Sequence, residues 1–192
     1  MTPGAIVAAA IEALEAQAAA GAPLDAALGR YQRDRRYIGA KDRAALAARV
    51  YGAVRRQARL DWRLAAVGAD PTPRLRVLAD LVLEDGLEPM AVQAMLASAR
   101  HGPPPLDDAE FLLLAALGAG PLETDDMPDA VRFECPDWAW PGFQAAFGAA
   151  AGDELRALQA EAPLDLRVNR LKGDVAAALA ALDRAASAGG SV

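Results

Sequence analysis

Apolar residues recur along most of the chain at the three- and four-residue spacing of an α-helix. In the first such segment, residues 5–19, Ile11 and Leu14 lie on one face. Gly21 and Pro23 end that helix. The same spacing predicts further helices. Two of them begin near 24 and 136, and the others span about 40–59, 60–68, 73–85, 88–100, 107–117 and 152–161. Alanine is abundant, and aromatic and β-branched residues are few, so the chain is predicted to be mostly helical.

One charged segment interrupts this pattern. The basic residues of 30–38 have no clear helical period, so this segment is predicted to be a loop or a fraying turn. Gly39 can act as the N-cap of the next helix, and Asp42 then falls at its third position, where an acid suits the positive helix end. That helix has an apolar face, and its opposite face carries Arg49, Arg55, Arg56 and Arg59.

The pattern changes from helix to strand near Pro163. Leu164, Leu166 and Val168 alternate with polar residues, which is the period of a half-buried strand, and a helix from about Val175 follows. A lone strand leaves its backbone groups without partners. We therefore predict an all-α domain over 1–145, then a connector and the start of an incomplete α/β region (one strand, one helix) over 146–192. Residues 163–192 are expected to be loosely packed in isolation.

Charge is strongly segregated along the chain. The 192 residues carry a net charge of −6, but residues 30–63 contain eleven basic residues against three acidic ones. Residues 64–163 contain seventeen acids against five bases. A basic block on an acidic protein is typical of a surface that binds a polyanion, and RNA is the favoured partner.

Cysteine and histidine are too scarce to build most metal sites. The chain has one of each, Cys135 and His101, so an intrachain disulfide and a cysteine-based zinc site are excluded, and no metal partner is expected. No uninterrupted apolar run reaches the length of a membrane span, and Glu12 and Glu15 interrupt the apolar start, which does not resemble a secretory signal. A monomeric cytoplasmic protein without a membrane partner is the expectation.

Three motifs resemble one protein family. Ile38–Arg43 with Arg49–Gly52 resembles the signature of NusB-like helical domains. Cys135–Pro141 resembles the segment with the sequence PDW that follows such a domain, and Pro163–Lys172 resembles the PLDLRVN-type strand that comes next. In this order, the motifs resemble RsmB/Sun-type ribosomal RNA (cytosine-5) methyltransferases, and they cover essentially the whole chain.

The resemblance implies a NusB-like helical bundle that binds structured RNA ahead of a catalytic domain that uses S-adenosylmethionine. The family's catalytic half has a glycine-rich cofactor loop and two cysteines, each of which follows a proline. This sequence has no strand followed by a glycine-rich turn, and Cys135 precedes its proline instead of following it. We therefore expect the catalytic domain to be absent, with no catalytic residue and no cofactor site in these residues.

The basic block supplies the candidate RNA-binding residues. Each phosphate that they neutralise would release a counterion, so binding would weaken with salt. The residues predicted to contact RNA are Arg33, Arg35, Arg36, Lys41, Arg43, Arg55, Arg56 and Arg167. A solvated helix face is the alternative interpretation of the block. Arg59 and Arg63 are expected to pair with acids elsewhere, and for Arg167 a structural link to the following domain is the alternative to RNA contact.

The aromatic residues have two interpretations each. Tyr31 and Tyr37 flank the basic block and could stack on unpaired bases, but packing within the protein is favoured. For Trp138 and Trp140 we favour anchoring of the connector to the helices over a role in a ligand surface. Tyr51 is predicted to lie in the core. His101 is expected to be a helix-end residue rather than a catalytic one.

Three functions remain open from the sequence. The first is the RNA-binding part of an S-adenosylmethionine-dependent ribosomal RNA cytosine-5 methyltransferase, which is not catalytic by itself. The second is a stand-alone NusB-like RNA-binding protein that acts in transcription antitermination. The third is a helical protein-interaction module whose acidic region, 64–163, binds a basic partner.

Overall fold

The structure, a computed structural model, describes residues 1–99, 102–118, 120–160 and 165–189. The chain divides into two compact units, Met1–Gln159 and Ala160–Val192. The described part of the chain is all-α, as predicted. The helices of the first unit are α1 (Pro3–Ala20), α2 (Leu24–Asp34), α3 (Ala40–Arg55), α4 (Gln57–Ala66), α5 (Pro73–Leu83), α6 (Pro89–Ala97), α7 (Asp108–Leu117), α8 (Asp129–Arg132), α9 (Trp140–Phe147) and α10 (Ala151–Gln159), with a 3-10 turn at Gly148–Ala150.

Helix α1 is the central element of the first unit and packs against α2, α3, α5 and α6. Its start is fixed by Thr2, whose hydroxyl accepts from the amide of Ala5, and its end by Gly21 in the left-handed conformation with φ of 57°. A Cβ at Gly4 would lie 2.5 Å from the carbonyl oxygen of Met95 in α6. Only glycine therefore permits the observed approach of α1 to α6.

Helix α5 supplies much of the core around α1. Val77, Leu78 and Leu81 are buried, and their apolar neighbours on α3, α4 and α7 complete one continuous cluster. Burial of this apolar surface is the main force that holds the first unit together. Asp80 lies in the middle of the same helix and is also fully buried, and two arginines form ion pairs with its carboxylate.

Two predicted boundaries are wrong, and both lie in the basic block. Helix α2 continues through Asp34, whereas 30–38 was predicted to be a loop or a fraying turn, because Leu28 and Tyr31 are buried one turn apart and keep the helix against the core. The long helix predicted to run to Arg59 ends at Arg55. Arg56 leaves the helical conformation at this break, and α4 begins at Gln57 with Glu134 bonded to its first amides.

The second unit contains helix α11 (Val175–Gly189), which confirms the predicted helix after residue 174. Asp174 caps it through a hydrogen bond from the amide of Ala177. The predicted strand is wrong for its described part, since residues 165–169 form no strand. Among the described residues, no neighbouring strand is present to form hydrogen bonds with the backbone of 165–169. Pro163, Leu164 and His101, on which other predictions fall, lie outside the described residues.

Candidate nucleic-acid interface

Helices α2 and α3 run antiparallel, which gathers basic residues at one end of the pair. Gln32 donates from its side-chain amide to the carbonyl oxygen of Arg43 (3.3 Å), and at the other end the Tyr51 hydroxyl donates to the Asp25 carboxylate. The connecting residues 35–39 lie at the first of these ends. We call this end the basic corner, and its residues are Arg33, Arg35, Arg36, Tyr37, Lys41 and Arg43.

Three cations of the basic corner are available to a ligand. Arg33, Arg36 and Lys41 are exposed, and within the described part of the chain none of them forms an ion pair. Tyr37 stands among them with 78% of its surface exposed, so the prediction that it packs within the protein is wrong. A cationic surface with an exposed aromatic ring suits single-stranded or looped RNA.

The start of α3 adds polar backbone groups to this surface. Its first amides follow Gly39, and no side chain caps them. Uncapped amides and the positive end of the helix dipole together attract phosphate groups. Asp42 in the first turn opposes this attraction, but its carboxylate accepts from the amino group of Met1 at 2.8 Å.

Arg35 belongs to the basic corner but is held by neighbouring residues. Its Nη2 atom lies 3.0 Å from Oε2 of Glu12, and its guanidinium carbon lies 3.7 Å from the centre of the Tyr31 ring. Tyr31 is buried, as the favoured interpretation predicted, and its hydroxyl donates to the same Oε2 atom at 2.8 Å. Burial and this hydrogen bond raise the pKa of Tyr31 far above its usual value, so the hydroxyl stays a donor.

Arg56 faces away from the basic corner and completes a buried ion-pair network. Its Nε atom lies 2.7 Å from Oδ1 of Asp80, and Arg49 approaches Oδ2 of the same residue at 3.0 Å. Burial lowers the pKa of the Arg56 guanidinium, but the hydrogen bond to Asp80 and the nearby acids raise it by more. The geometry therefore gives Arg56 a structural role.

Of the remaining candidate residues, Arg43 belongs to the basic corner, and Arg55 lies at the other end of α3. Arg43 is half-buried, and its Nε atom has no hydrogen-bond partner among the described residues. Arg55 is exposed at the far end of α3, about 20 Å from Lys41 at 1.5 Å per residue. Arg167 is exposed in the second unit, close in sequence to the exposed Arg170.

The two further arginines that were expected to pair with acids behave differently. Arg59 confirms the expectation, because its Nε lies 2.9 Å from Glu134 and its Nη1 lies 3.0 Å from Glu123. Arg63 does not, since it is buried and donates to the carbonyl oxygen of Leu117 at the end of α7. A guanidinium suits a helix end, where the last carbonyls lack partners.

The segment with the sequence PDW follows the first helices and has mixed exposure. Trp140 is half-buried, and its ring centre lies 5.7 Å from that of Phe133, as expected of an anchor. Trp138 is 84% exposed, so its predicted anchoring role is wrong: it lies in the turn before α9, a helix without any buried residue. Cys135 is buried, which raises the pKa of its thiol above the usual range, and Asp137 raises it further. A raised pKa disfavours the thiolate that a nucleophile needs.

The described residues lack the features that a metal ion or a membrane would require. They hold no cluster of His, Cys, Asp or Glu placed to bind a metal ion, and none of their helices is long and apolar enough to cross a membrane. No glycine-rich turn joins a strand to a helix among them.

Comparison with known proteins places a family domain at the end of the chain. The family model of the methyltransferase RsmF/B-like ferredoxin-like domain matches residues 135–189. The matched segment begins at Cys135 and includes two of the three motifs, Cys135–Pro141 and Pro163–Lys172, so it supports the likeness to the RsmF/RsmB-like methyltransferase family. Neither the curated proteins nor the solved structures gave a match.

Proposed function

We propose that this chain is the RNA-binding part of an S-adenosylmethionine-dependent ribosomal RNA cytosine-5 methyltransferase and contributes RNA binding rather than catalysis. A NusB-like helical domain over about 1–145 would hold the RNA, and 146–192 would lead into the catalytic region. The observation that carries the proposal is the basic corner, where Arg33, Arg36 and Lys41 are exposed, form no ion pair among the described residues, and lie close in sequence to the exposed Tyr37. The domain match over 135–189 supports the methyltransferase part of the proposal.

The other two functions have less support. A stand-alone antitermination factor would use the same basic corner but has no evident use for a segment that matches a methyltransferase domain. A protein-interaction module would rely on the acids of 64–163. Several of these are already engaged by arginines, such as Asp80, Glu110 and Glu134.

The test is binding of the whole chain to a small-subunit ribosomal RNA hairpin across a salt series. We expect the triple exchange Arg33→Ala, Arg36→Ala and Lys41→Ala to weaken binding at least about tenfold at low salt. It should reduce the slope of log K against log salt by about 2–3, since each lost phosphate contact removes about 0.7–0.9. Fluorescence anisotropy with a labelled hairpin measures both quantities.

A charge-matched control separates a specific surface from net charge. Exchange of Arg170, Lys172 and Arg184 for alanine also removes two arginines and one lysine, but all three are exposed residues of the second unit. This variant should bind within about threefold of the unchanged chain, because it leaves every cation of the basic corner in place. Equal losses in both triple variants, or no RNA binding at low salt, would contradict the proposal, and the latter would favour the protein-interaction module.

A further inference from the structure

A cavity of about 560 Å³ lies beside the basic corner, within the range of about 300–1,000 Å³ typical of small-ligand pockets. Its lining includes small apolar side chains of α1 on one side and polar or aromatic groups on the other. Those that matter for a ligand are Ala5, Ala8, Ala9, Glu12, Tyr31 and Tyr37. Ala5, Ala8 and Ala9 of α1 contribute the apolar part of this lining.

Tyr37 gives this cavity an aromatic wall that the protein itself does not use. The side chain is 78% exposed although it is large and partly apolar, and it is close in sequence to Arg36 and Lys41, which form no ion pair among the described residues. A base that stacks on Tyr37 would therefore have its phosphate within the basic corner. Aromatic stacking of this kind is the usual way in which proteins hold unpaired bases.

Glu12 contributes a carboxylate to the lining of the cavity, and its two oxygen atoms differ in the hydrogen bonds that they accept. The Tyr31 hydroxyl and the Arg35 guanidinium both bind Oε2, at 2.8 and 3.0 Å. Oε1 accepts no hydrogen bond from the residues that the structure describes, and the side chain is 54% exposed. These two donors fix the carboxylate in place, and Oε1 is left able to accept a hydrogen bond from a ligand.

A second cavity of similar volume lies on the other side of Glu12, but it suits RNA less well. Its lining holds Glu15 and Asp34, whose charges repel phosphate, beside Arg30 and Arg35, whose charges attract it, and it lacks Tyr37. The cavity beside Tyr37 is therefore the one with both a stacking surface and nearby cations.

We propose that the cavity between α1 and Tyr37 holds one unpaired RNA base that carries an amino group, stacked on Tyr37 and bonded through that amino group to Oε1 of Glu12. Cytosine, adenine and guanine present such a group. Uracil presents a single N–H between two carbonyl oxygens, whose lone pairs would face the carboxylate. This inference rests on the proposed RNA-binding function and adds a base preference to it.

Short oligocytidylate and oligouridylate of equal length test the preference in the whole chain. The unchanged chain should bind oligocytidylate about tenfold more tightly, which corresponds to one hydrogen bond to a charged group. Tyr37→Ala should weaken oligocytidylate binding about fivefold to fiftyfold, whereas Tyr37→Phe, which keeps the ring, should bind within about twofold.

Glu12→Gln is the sharpest variant, because it predicts a change of preference. The amide oxygen can keep the hydrogen bonds from Tyr31 and Arg35, so the amide nitrogen takes the position of Oε1 and donates instead of accepting. Oligouridylate should then bind at least as tightly as oligocytidylate. The exchange is isosteric, and circular dichroism checks that the helices persist.

The outcomes separate this inference from the proposed function. If both oligonucleotides bind through Arg33, Arg36 and Lys41 but Glu12→Gln leaves the cytosine-to-uracil ratio unchanged, the base site is wrong and RNA binding stands. If Tyr37→Ala binds like the unchanged chain, the stacking site is wrong as well. If neither oligonucleotide nor the hairpin binds at low salt, both proposals fail together.

Discussion

Exchange of both Arg49 and Arg56 for methionine is expected to lower the free energy of unfolding by about 3–5 kcal/mol. Asp80 is 0% exposed, and these two guanidiniums are the cations that bond to its carboxylate. Methionine fills a similar volume without charge, so the variant would leave a buried carboxylate without a partner. Urea unfolding followed by circular dichroism measures the loss, with the midpoint compared at constant slope.

The diagnostic control is Asp80→Asn, whose effect should change sign with its background. In the unchanged chain this exchange removes the charge that the two arginines bind, so it should destabilise. In the Arg49→Met and Arg56→Met background it removes an unpaired buried charge, so it should restore stability. A destabilising effect of equal size in both backgrounds would show that the three residues do not act as one network.

A second control addresses the general effect of lost arginines. Arg33→Met with Arg36→Met removes the same charge from exposed positions and should change stability by no more than about 0.5 kcal/mol. The difference in stability between the two double variants separates the arginines that hold α3 and α5 together from those that are proposed to bind RNA.

The helical architecture could be predicted from the sequence because it depends on local spacing. The period of the apolar residues located α1, α5 and α7 closely, and Gly21 and Pro23 marked the end of the first helix. The ends of α2 and α3 could not be predicted in this way, since they depend on Tyr31 packing on α1 and on Arg56 reaching Asp80. These are contacts between residues 19 and 24 positions apart.

The candidate site shows the same division. Segregation of charge identified the basic block, but a run of arginines does not reveal which of them has an acidic partner. Asp80 carried the one available signal: a carboxylate within the apolar run of α5 is buried, and a buried carboxylate needs cations. Glu12 carried none, because it reads as an ordinary exposed acid on α1, and only the fold brings Tyr31 and Arg35 to it.

Exchange of Glu134 for alanine is the second large effect that we expect, a loss of about 2–4 kcal/mol. Its carboxylate accepts from the amides of Ala58 (2.7 Å) and Arg59 (3.1 Å) at the start of α4, and from the Arg59 side chain. Burial raises the pKa of Glu134, and these three donors offset only part of that effect. Alanine would leave two amides and a guanidinium without their acceptor. Thermal and urea unfolding measure the loss.

Glu134→Gly is the matched control, because Glu134 has a φ of 52°, in the left-handed region that favours glycine. Glycine removes the same carboxylate as alanine but relieves a backbone strain of about 1–2 kcal/mol, so it should destabilise less than alanine by about that amount. Equal losses would mean that the backbone carries no strain, and a loss below about 1 kcal/mol in both would mean that the carboxylate does not hold α4.

Glu134 and its stabilising contact lie immediately before Cys135, where the segment that matches the methyltransferase domain begins. The break between α3 and α4 is then fixed by the residue that precedes that segment, so weakening this contact should loosen α4 without disturbing the RNA-binding surface proposed at Arg33, Arg36 and Lys41.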